Sequence, residues 1–477
     1  MSTYAADQTA AAPGGPARNR ATGPQRRPLT PTWWRDAVVL ATWANVLIVV
    51  ALWLRGGGAT DLDSATQTYL SLGRITGLVS ADLLLIQVLL MARLPVIERV
   101  YGQDELARRH RLVGCTSFFL MLTHIVLITL GYAGQDARNA LVEAWRLTVD
   151  YPGMLLAVAG SALLVMVSAT SIKRARAKLR YESWHLLHLY AYLGVGLALP
   201  HQLWTGQDFL AGHLATVYWW TLWAAAAGAV LIWRVGVPVY RTLRHDLRVT
   251  AVLPEGPGVV SVEMTGRHLH RLPTAAGQFL IWRFLTRAGA SKGHPYSLSA
   301  APNGATLRIT VKDLGDDSRG LSTLRPGTRV AIEGPYGRLH AGVRTRRKVT
   351  LIAGGIGITP LRALLEELPQ NPGEVTVIYR AHSEREVILR NELEALAAAR
   401  GAQLVFLLGP RLTGRMSWLP AEAAQWSDAA ALRAIVPDIA EHDVYICGAT
   451  AWMDAARRAA LDAGVPTECI HLERFSW

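Results

Sequence analysis

His110 and His124 stand fourteen residues apart in an apolar stretch that runs from Arg109-His110-Arg111 to Leu120-Met121-Leu122-Thr123-His124. At about 1.5 Å rise and 3.6 residues per turn, a helix places both imidazoles within about 40° of one face and roughly 21 Å apart. A second stretch, from Ser183-Trp184-His185-Leu186-Leu187-His188 to Leu199-Pro200-His201, offers a matching pair, His188 and His201, thirteen residues apart. Two helices, two levels and four histidines point to two stacked haems b, each iron held between one histidine from either helix. Neutral imidazole suits iron because one ring nitrogen ligates while the other donates a hydrogen bond that fixes the tautomer. A straight helix would turn His201 about 140° away from His188. The reading therefore needs a kink, for which Pro200, with Gly194 and Gly196 before it, is placed. His185 shares a face with His188 and is its rival as ligand.

Helices that carry ligands at two such levels must cross a membrane, and the composition agrees. Of the 477 residues 51% are hydrophobic, and the mean hydropathy of +0.20 is too apolar for a wholly soluble chain. The excess lies before residue 240. Residues 37–54, 75–92, 112–132, 151–172, 183–204 and 214–233 are candidate spans, which gives an α-helical six-span membrane domain over residues 36–240. Residues 1–35, rich in Ala, Gly, Pro, Thr and Arg, cannot bury enough surface to fold and read as a disordered cytoplasmic tail. That tail lacks the apolar core of a cleavable signal peptide.

A net charge of +13 raises the question of nucleic acid, but the charge sits mostly in short loops between apolar segments and sets topology instead. Arg93, Arg99, Arg108, Arg109 and Arg111 follow the second span, and Lys173, Arg174, Arg176, Lys178 and Arg180 the fourth; the opposite loops offer only Arg55, Arg138 and Arg146. This places both termini in the cytoplasm of a plasma-membrane protein, with lipid and no nucleic acid as partner. His110 and His188 then share the inner level, and His124 and His201 the outer. Asp82, inside the second span, reads as a buried hydrogen bond in preference to a proton site. Arg74 either meets a haem propionate or snorkels to the interface. Asp136 and Glu143 on an outer loop read as solvated surface in preference to a cation site. Cys115, Cys447 and Cys469 form no CxxC or zinc spacing, so no disulfide framework is implied.

After Arg241 the pattern is soluble. Short alternating segments at 247–253, 259–264, 277–284, 306–312 and 329–333, with Gly/Pro turns between, predict a small antiparallel β-barrel over residues 241–346. From Lys348 the order strand, glycine turn, helix, strand, helix predicts a parallel α/β domain over residues 347–477.

Two sets of residues in this half carry chemistry. In the barrel, His294-Pro295-Tyr296-Ser297-Leu298-Ser299 sets an aromatic ring beside a hydroxyl for a flat cofactor. Gly315-Asp316-Asp317-Ser318 offers backbone amides and a hydroxyl at a helix start, where a pyrophosphate is stabilised. In the α/β domain, Gly354-Gly355-Ile356-Gly357-Ile358-Thr359-Pro360 lies between an apolar strand and a helix, where glycines let the backbone approach a phosphate. Val444-Tyr445-Ile446-Cys447-Gly448-Ala449 is a strand ending in Cys-Gly, and the chain closes on Phe475-Ser476-Trp477.

On these motifs the soluble half resembles the ferredoxin-NADP reductase superfamily, and residues 36–477 as a whole resemble the ferric reductase and NADPH oxidase transmembrane flavocytochromes. The resemblance implies that His294, Tyr296, Ser297, Ser299 and Ser318, with Pro295 and Gly315 between them, hold FAD. It implies that Gly354, Gly355, Gly357, Thr359, Cys447 and Gly448 lie along the nicotinamide nucleotide, with Cys447 and Trp477 at the catalytic end. Trp477 is then the aromatic that covers the flavin where nicotinamide must enter. Many soluble relatives have Arg at the place of His294, and Ala449 stands where Pro is usual.

The expected function is an NAD(P)H-dependent transmembrane oxidoreductase that moves electrons from the cytoplasm through FAD and two haems b to an extracellular acceptor, a ferric or cupric complex or O2. A quinone-linked flavin reductase and a haem-binding redox sensor are the alternatives. Arg380 and Arg385, just past the strand 375–379, suit a 2′-phosphate and favour NADPH over NADH. Oligomeric state is not legible.

Overall fold

The computed structural model describes residues 33–473 apart from 61, 177, 180, 211, 287, 288, 290 and 291. The expected tail lies outside these except for Trp33, Trp34 and Arg35, which open the first helix, and Trp477 lies outside as well.

The N-terminal half is helical: α1 Trp33–Arg55, α2 Ala65–Met91, α3 Pro95–Gln135, α4 Ala140–Asp150, α5 Met154–Ser171, α6 Tyr181–Trp204 and α7 His213–Ala229. A π-helical turn, Val230–Gly236, continues α7 into α8, Val237–His245. Five stretches are long and apolar enough to cross a membrane: Trp33–Arg55, Ala65–Met91, Glu105–Gln135, Met154–Ser171 and His213–His245. The expected fifth span, 183–204, is helical as α6 but is not among the five, because His185, His188, His201 and Gln202 make it less apolar. α3 starts well before the expected residue 112. Gly102, at φ 73 and ψ 161, interrupts it and divides a surface segment from the span Glu105–Gln135. Only glycine takes such angles without strain.

Helices approach closely where side chains are small. A Cβ on Gly160 of α5 would lie 2.6 Å from the carbonyl oxygen of Gly194 on α6. Leu84, Leu85, Met121, Leu164, Val195 and Ala226 then close a core shared by five helices.

The next segment is a six-stranded sheet: β1 Leu247–Gly256, β2 Val259–Thr265, β3 Phe279–Phe284, β4 His294–Ser297, β5 Thr306–Lys312 and β6 Arg329–Tyr336. The order is β4-β3-β6-β1-β2-β5, and every pairing is antiparallel. The expected barrel does not close: its edges β4 and β5 meet only at the isolated bridge Leu298↔Ile309. β4 has just four residues, one of them Pro295, which has no N–H to give to a ladder. Inside the curl pack Val262, Met264, Leu280, Trp282 and Ile309, all fully buried.

The last segment matches its expectation. β7 Lys348–Gly354, β8 Val375–Ala381, β9 Gln403–Leu408, β10 His442–Cys447 and β11 Ile470–Leu472 form a parallel sheet in the order β11-β10-β7-β8-β9. α9 Ile358–Glu367, α10 Arg390–Arg400, α11 Asp428–Ile435 and α12 Thr450–Asp462 accompany it. The order reverses between β7 and β10, so the sheet opens a crevice at their carboxyl ends. The turns holding Gly355 and Gly448 stand at that crevice.

Candidate functional site

The histidines come together in pairs. The rings of His110 and His188 lie 6.0 Å apart, centroid to centroid, with their planes at 65°. His124 and His201 are neighbours at the other level. His110 Nδ1 donates to the Gln87 carbonyl at 3.3 Å, and His124 Nδ1 donates to the Gly73 carbonyl at 2.8 Å. Each ring therefore presents Nε2 as the unprotonated nitrogen, the arrangement in which a ligating histidine is held. Gly77 makes room for the second ring, since a Cβ there would collide with His124 Nδ1. His188 Nδ1 lies 3.3 Å from Ser171 Oγ. His185 is within electrostatic reach of His188 and also of Arg234, Arg283 and Glu333 at the joint with the sheet domain. Among the described residues no cluster of three or more His, Cys, Asp or Glu could hold a metal unaided. Pairs of histidines suffice where a macrocycle supplies the remaining ligands.

Around the sheet edge, His294 and Tyr296 stack at 5.9 Å, and Trp282 Nε1 donates to the Tyr296 carbonyl at 2.9 Å. Ser297 Oγ is buried without a hydrogen-bond partner among the described residues, an orphan that a flavin's polar edge would satisfy. Ser299 is different. It is fully buried, and its Oγ accepts from Thr310 Oγ1 and Arg308 Nε, which ties it into the sheet. Gly315 is open, and Ser318 Oγ accepts from Leu314 N and donates to the Gly315 carbonyl. The expected helix there is a single turn, Asp316–Arg319.

The three glycines of the nucleotide turn have three roles. Gly355, at φ 57, faces open space, as a phosphate cradle requires. Gly357 is small because the Cys447 carbonyl lies against it. Gly354, like Gly448, is small because the Trp452 indole lies where a Cβ would stand, 2.8 Å away in each case. Thr359 Oγ1 turns back to the Ile356 carbonyl at 3.0 Å. Burial pushes the Cys447 thiol up to about 12, so it is a neutral packing group at the crevice floor and not a nucleophile.

A cavity of about 360 Å³ opens beside this turn, lined by Pro257, Val259, Lys312, Gly355, Ile356, Ser383, Arg385, Glu386 and Ile388. Arg385 therefore lies where a nucleotide would be. Arg380 does not: it is buried, and its guanidinium donates to the carbonyls of Ala381, Leu407, Gly409 and Pro410. Its expected role on a 2′-phosphate is corrected, because the side chain turns inward to close the end of β9.

No sequence motif marks the joint between the two halves. Glu333 of β6 binds Arg93, Arg234 and Arg283 at 3.7, 3.6 and 3.5 Å, and accepts from Tyr336 Oη at 3.1 Å. Arg93 also reaches Glu98 at 3.4 Å and Gln103, and lies over the Tyr336 ring at 4.1 Å. These residues come from four separate places in the chain, so no spacing announces them. Further out, Arg74 is paired with Asp208 at 2.6 Å, and Asp82 accepts from Asn45 Nδ2 at 2.6 Å and Tyr218 Oη at 3.0 Å.

Paired histidines in a membrane-crossing bundle, joined to a flavin-type sheet and a nucleotide crevice, define an integral-membrane oxidoreductase. Residues 76–199 match the family described as ferric reductase like transmembrane component, and residues 351–458 match the oxidoreductase NAD-binding domain. The chain is 28% identical over 242 residues to ferredoxin--NADP reductase B of Sorangium cellulosum, covering 48% of this chain and 97% of that protein. It is 30% identical over 240 residues to the ferredoxin--NAD(+) reductase component of the alkene monooxygenase system of Xanthobacter autotrophicus, covering 49% and 70%. The FAD/NAD-binding domain of nitric oxide dioxygenase from Vibrio cholerae matches 49% of this chain and 99% of its own at 26% identity, with a TM-score of 0.38. The chain belongs to the ferredoxin-NAD(P) reductase family through its C-terminal half and carries a ferric reductase-like transmembrane component in its N-terminal half. It is an NAD(P)H-dependent flavoprotein oxidoreductase with an electron-transfer role.

Proposed function

We propose that this protein carries electrons from NADPH at the cytoplasmic reductase half through FAD and two haems b to an acceptor on the far side of the plasma membrane, a ferric or cupric complex or O2. The observation that carries this reading is the His110–His188 pair. Two metal–nitrogen bonds of about 2 Å, with about 1.1 Å from each nitrogen to its ring centre, add to roughly 6 Å, against 6.0 Å between these rings. Flavin takes a hydride and releases single electrons, and haem iron passes one electron at a time, so together they link a two-electron donor to a one-electron acceptor.

The chain's own residues position that chemistry. His110 and His188 hold the inner iron, His124 and His201 the outer, and the Gln87 and Gly73 carbonyls fix the tautomers of His110 and His124. Tyr296 and Ser297 take the flavin, and Gly355 the nucleotide phosphates. Arg385 supplies the guanidinium that a 2′-phosphate needs, while Lys312 on the same cavity wall lies 3.8 Å from Glu386. Six spans put both ends of the helical half on one face, where Arg93, Arg108, Arg109 and Arg111 mark the cytoplasm. On the opposite face Asp136 and Glu143 are engaged by Arg138 and Arg146 and offer no ready cation site.

Haem stoichiometry tests the reading. Wild-type protein is expected to give two haems per flavin by pyridine haemochrome, and His124→Leu or His201→Leu one, with NADPH-driven flavin reduction intact. Full haem content in both variants overturns the ligand assignment. In sealed vesicles, NADPH on the reductase side should reduce an impermeant ferric chelate enclosed on the other.

A further inference from the structure

Helix α4, Ala140–Asp150, links α3 to α5 at the end of the bundle remote from the sheet domains. Its two faces are inverted relative to a helix packed in water. Glu143 and Leu147 are buried against the protein, while Leu141, Val142, Trp145 and Val149 are 82, 58, 70 and 57% exposed. At 100° per residue those four side chains fall within an arc of about 100°. Four large apolar groups gathered on one exposed face are unlike the scattered apolar residues of a wetted surface.

The polar residues are held on the other side. Glu143 is gripped by Arg146 at 2.7 Å and Arg138 at 3.5 Å, and Asp136 is bound by both arginines. Two carboxylates thus answer the two guanidinium groups at this corner, so among the described residues α4 and the turn before it present no unpaired cation to an anionic surface. The spans on either side of α4 in the chain expose apolar residues too. Val126 and Leu130 of α3 and Leu155 and Val158 of α5 are exposed in the same way, and those helices are long and apolar enough to meet acyl chains. Just beyond α4, Gly153 at φ 81 lies against the backbone of Pro200 and His201, so the position of this helix bears directly on the outer histidine.

We propose that α4 lies in the plane of the bilayer within the far leaflet, its Leu141–Val142–Trp145–Val149 face seated among phospholipid acyl chains and Trp145 at the headgroup boundary. The charge balance selects the partner: attachment rests on apolar contact, so zwitterionic phospholipid suffices and added salt does not release it. The helix forms a roof over the His201 level that is fastened to the membrane as well as to the protein.

The test uses the full chain in phosphatidylcholine nanodiscs, with Cys115→Ser and one added cysteine bearing a nitroxide. Labels from Leu141→Cys, Trp145→Cys and Val149→Cys are expected to collide several-fold more with O2 than with a water-soluble nickel chelate. Labels from Asn139→Cys and Asp150→Cys are expected to show the reverse. The contrast should persist in high salt and without anionic lipid. An independent check needs no label: brominated phosphatidylcholine should quench wild-type fluorescence by more than it quenches Trp145→Phe. Equal aqueous exposure of all five labels overturns the proposal. So does spin–spin broadening at 141 and 145, which would seat a second copy of the chain there, or a contrast that appears only with anionic lipid. None of these readouts depends on haem, so the result stands apart from the proposed electron path.

Discussion

Two arginines five residues apart, Arg380 and Arg385, have opposite fates, and the difference is set by what their guanidinium groups already touch. Arg380 is itself buried and serves four carbonyls, from buried Ala381 to exposed Pro410, and removing it takes the donor from all four. Arg380→Met is expected to lower stability by about 2–4 kcal/mol while the ratio of kcat/KM for NADPH to that for NADH stays unchanged. Arg385 faces the cavity. Losing one charge-assisted contact to a 2′-phosphate is worth about 1.4–3 kcal/mol, so Arg385→Ala should raise KM for NADPH roughly 10- to 100-fold and leave NADH alone. Chemical melts and steady-state kinetics on both variants separate the roles, and lost discrimination in the Arg380 variant alone would reverse the assignment. Cys447 follows the same logic: with its thiol pushed up to about 12 by burial, it should resist alkylation at pH 8 in the native protein and react once the chain is unfolded.

At the scale of elements, α2 supports the histidine helix α3 through its backbone. The carbonyls of Gly73 and Gln87 accept from the two α3 histidines, and Gly77 keeps a side chain away from His124. A methyl group at residue 77 must displace that ring or push the helices apart. Gly77→Ala is therefore expected to lose the outer haem while the inner haem and NADPH-driven flavin reduction remain, as read by haemochrome and stopped-flow absorbance. Retention of both haems with unchanged spectra would show that His124 tolerates the shift and that its tautomer is not fixed by Gly73. The same crowding operates in the reductase half, where the Trp452 indole lies against Gly354 and Gly448 and ties two turns of the crevice to one side chain.

The whole molecule turns on the buried joint between its halves. Burial holds the Glu98 carboxyl up to about 7; Arg93 and Arg234 oppose that shift and Glu333 reinforces it. Well below its ordinary value of 4.5 the proton is bound in folded and unfolded chains alike, and the preference for a neutral buried Glu98 contributes its full stability. Between 4.5 and about 7 the unfolded chain gives up that proton first, so the contribution declines as pH rises and is gone above about 7. The melting temperature of the full chain should fall across this window, and Glu98→Gln, which stays neutral, should flatten the slope. An unchanged slope in that variant would assign the titration to another group of the cluster.

The sequence alone determined the periodic and local features. Apolar runs long enough to span, histidines thirteen and fourteen residues apart, a strand–glycine–helix turn and a Cys-Gly strand end are encoded in neighbouring residues, and short-range physics suffices to read them. It also placed the parallel sheet, because strands that alternate with helices return by crossovers and pair side by side in one direction. Tertiary structure decided whatever depends on partners distant in the chain. Whether the Ser299 oxygen is open to a further donor depends on Arg308 and Thr310, and whether Arg380 points outward depends on the carbonyls of Leu407, Gly409 and Pro410. The barrel's failure to close depends on how β4 and β5 meet, and the joint at Glu333 depends on Arg93, Arg234 and Arg283 arriving from three other segments. Residue type states what a side chain is able to bond. Only the packed chain states what is within 3 Å of it.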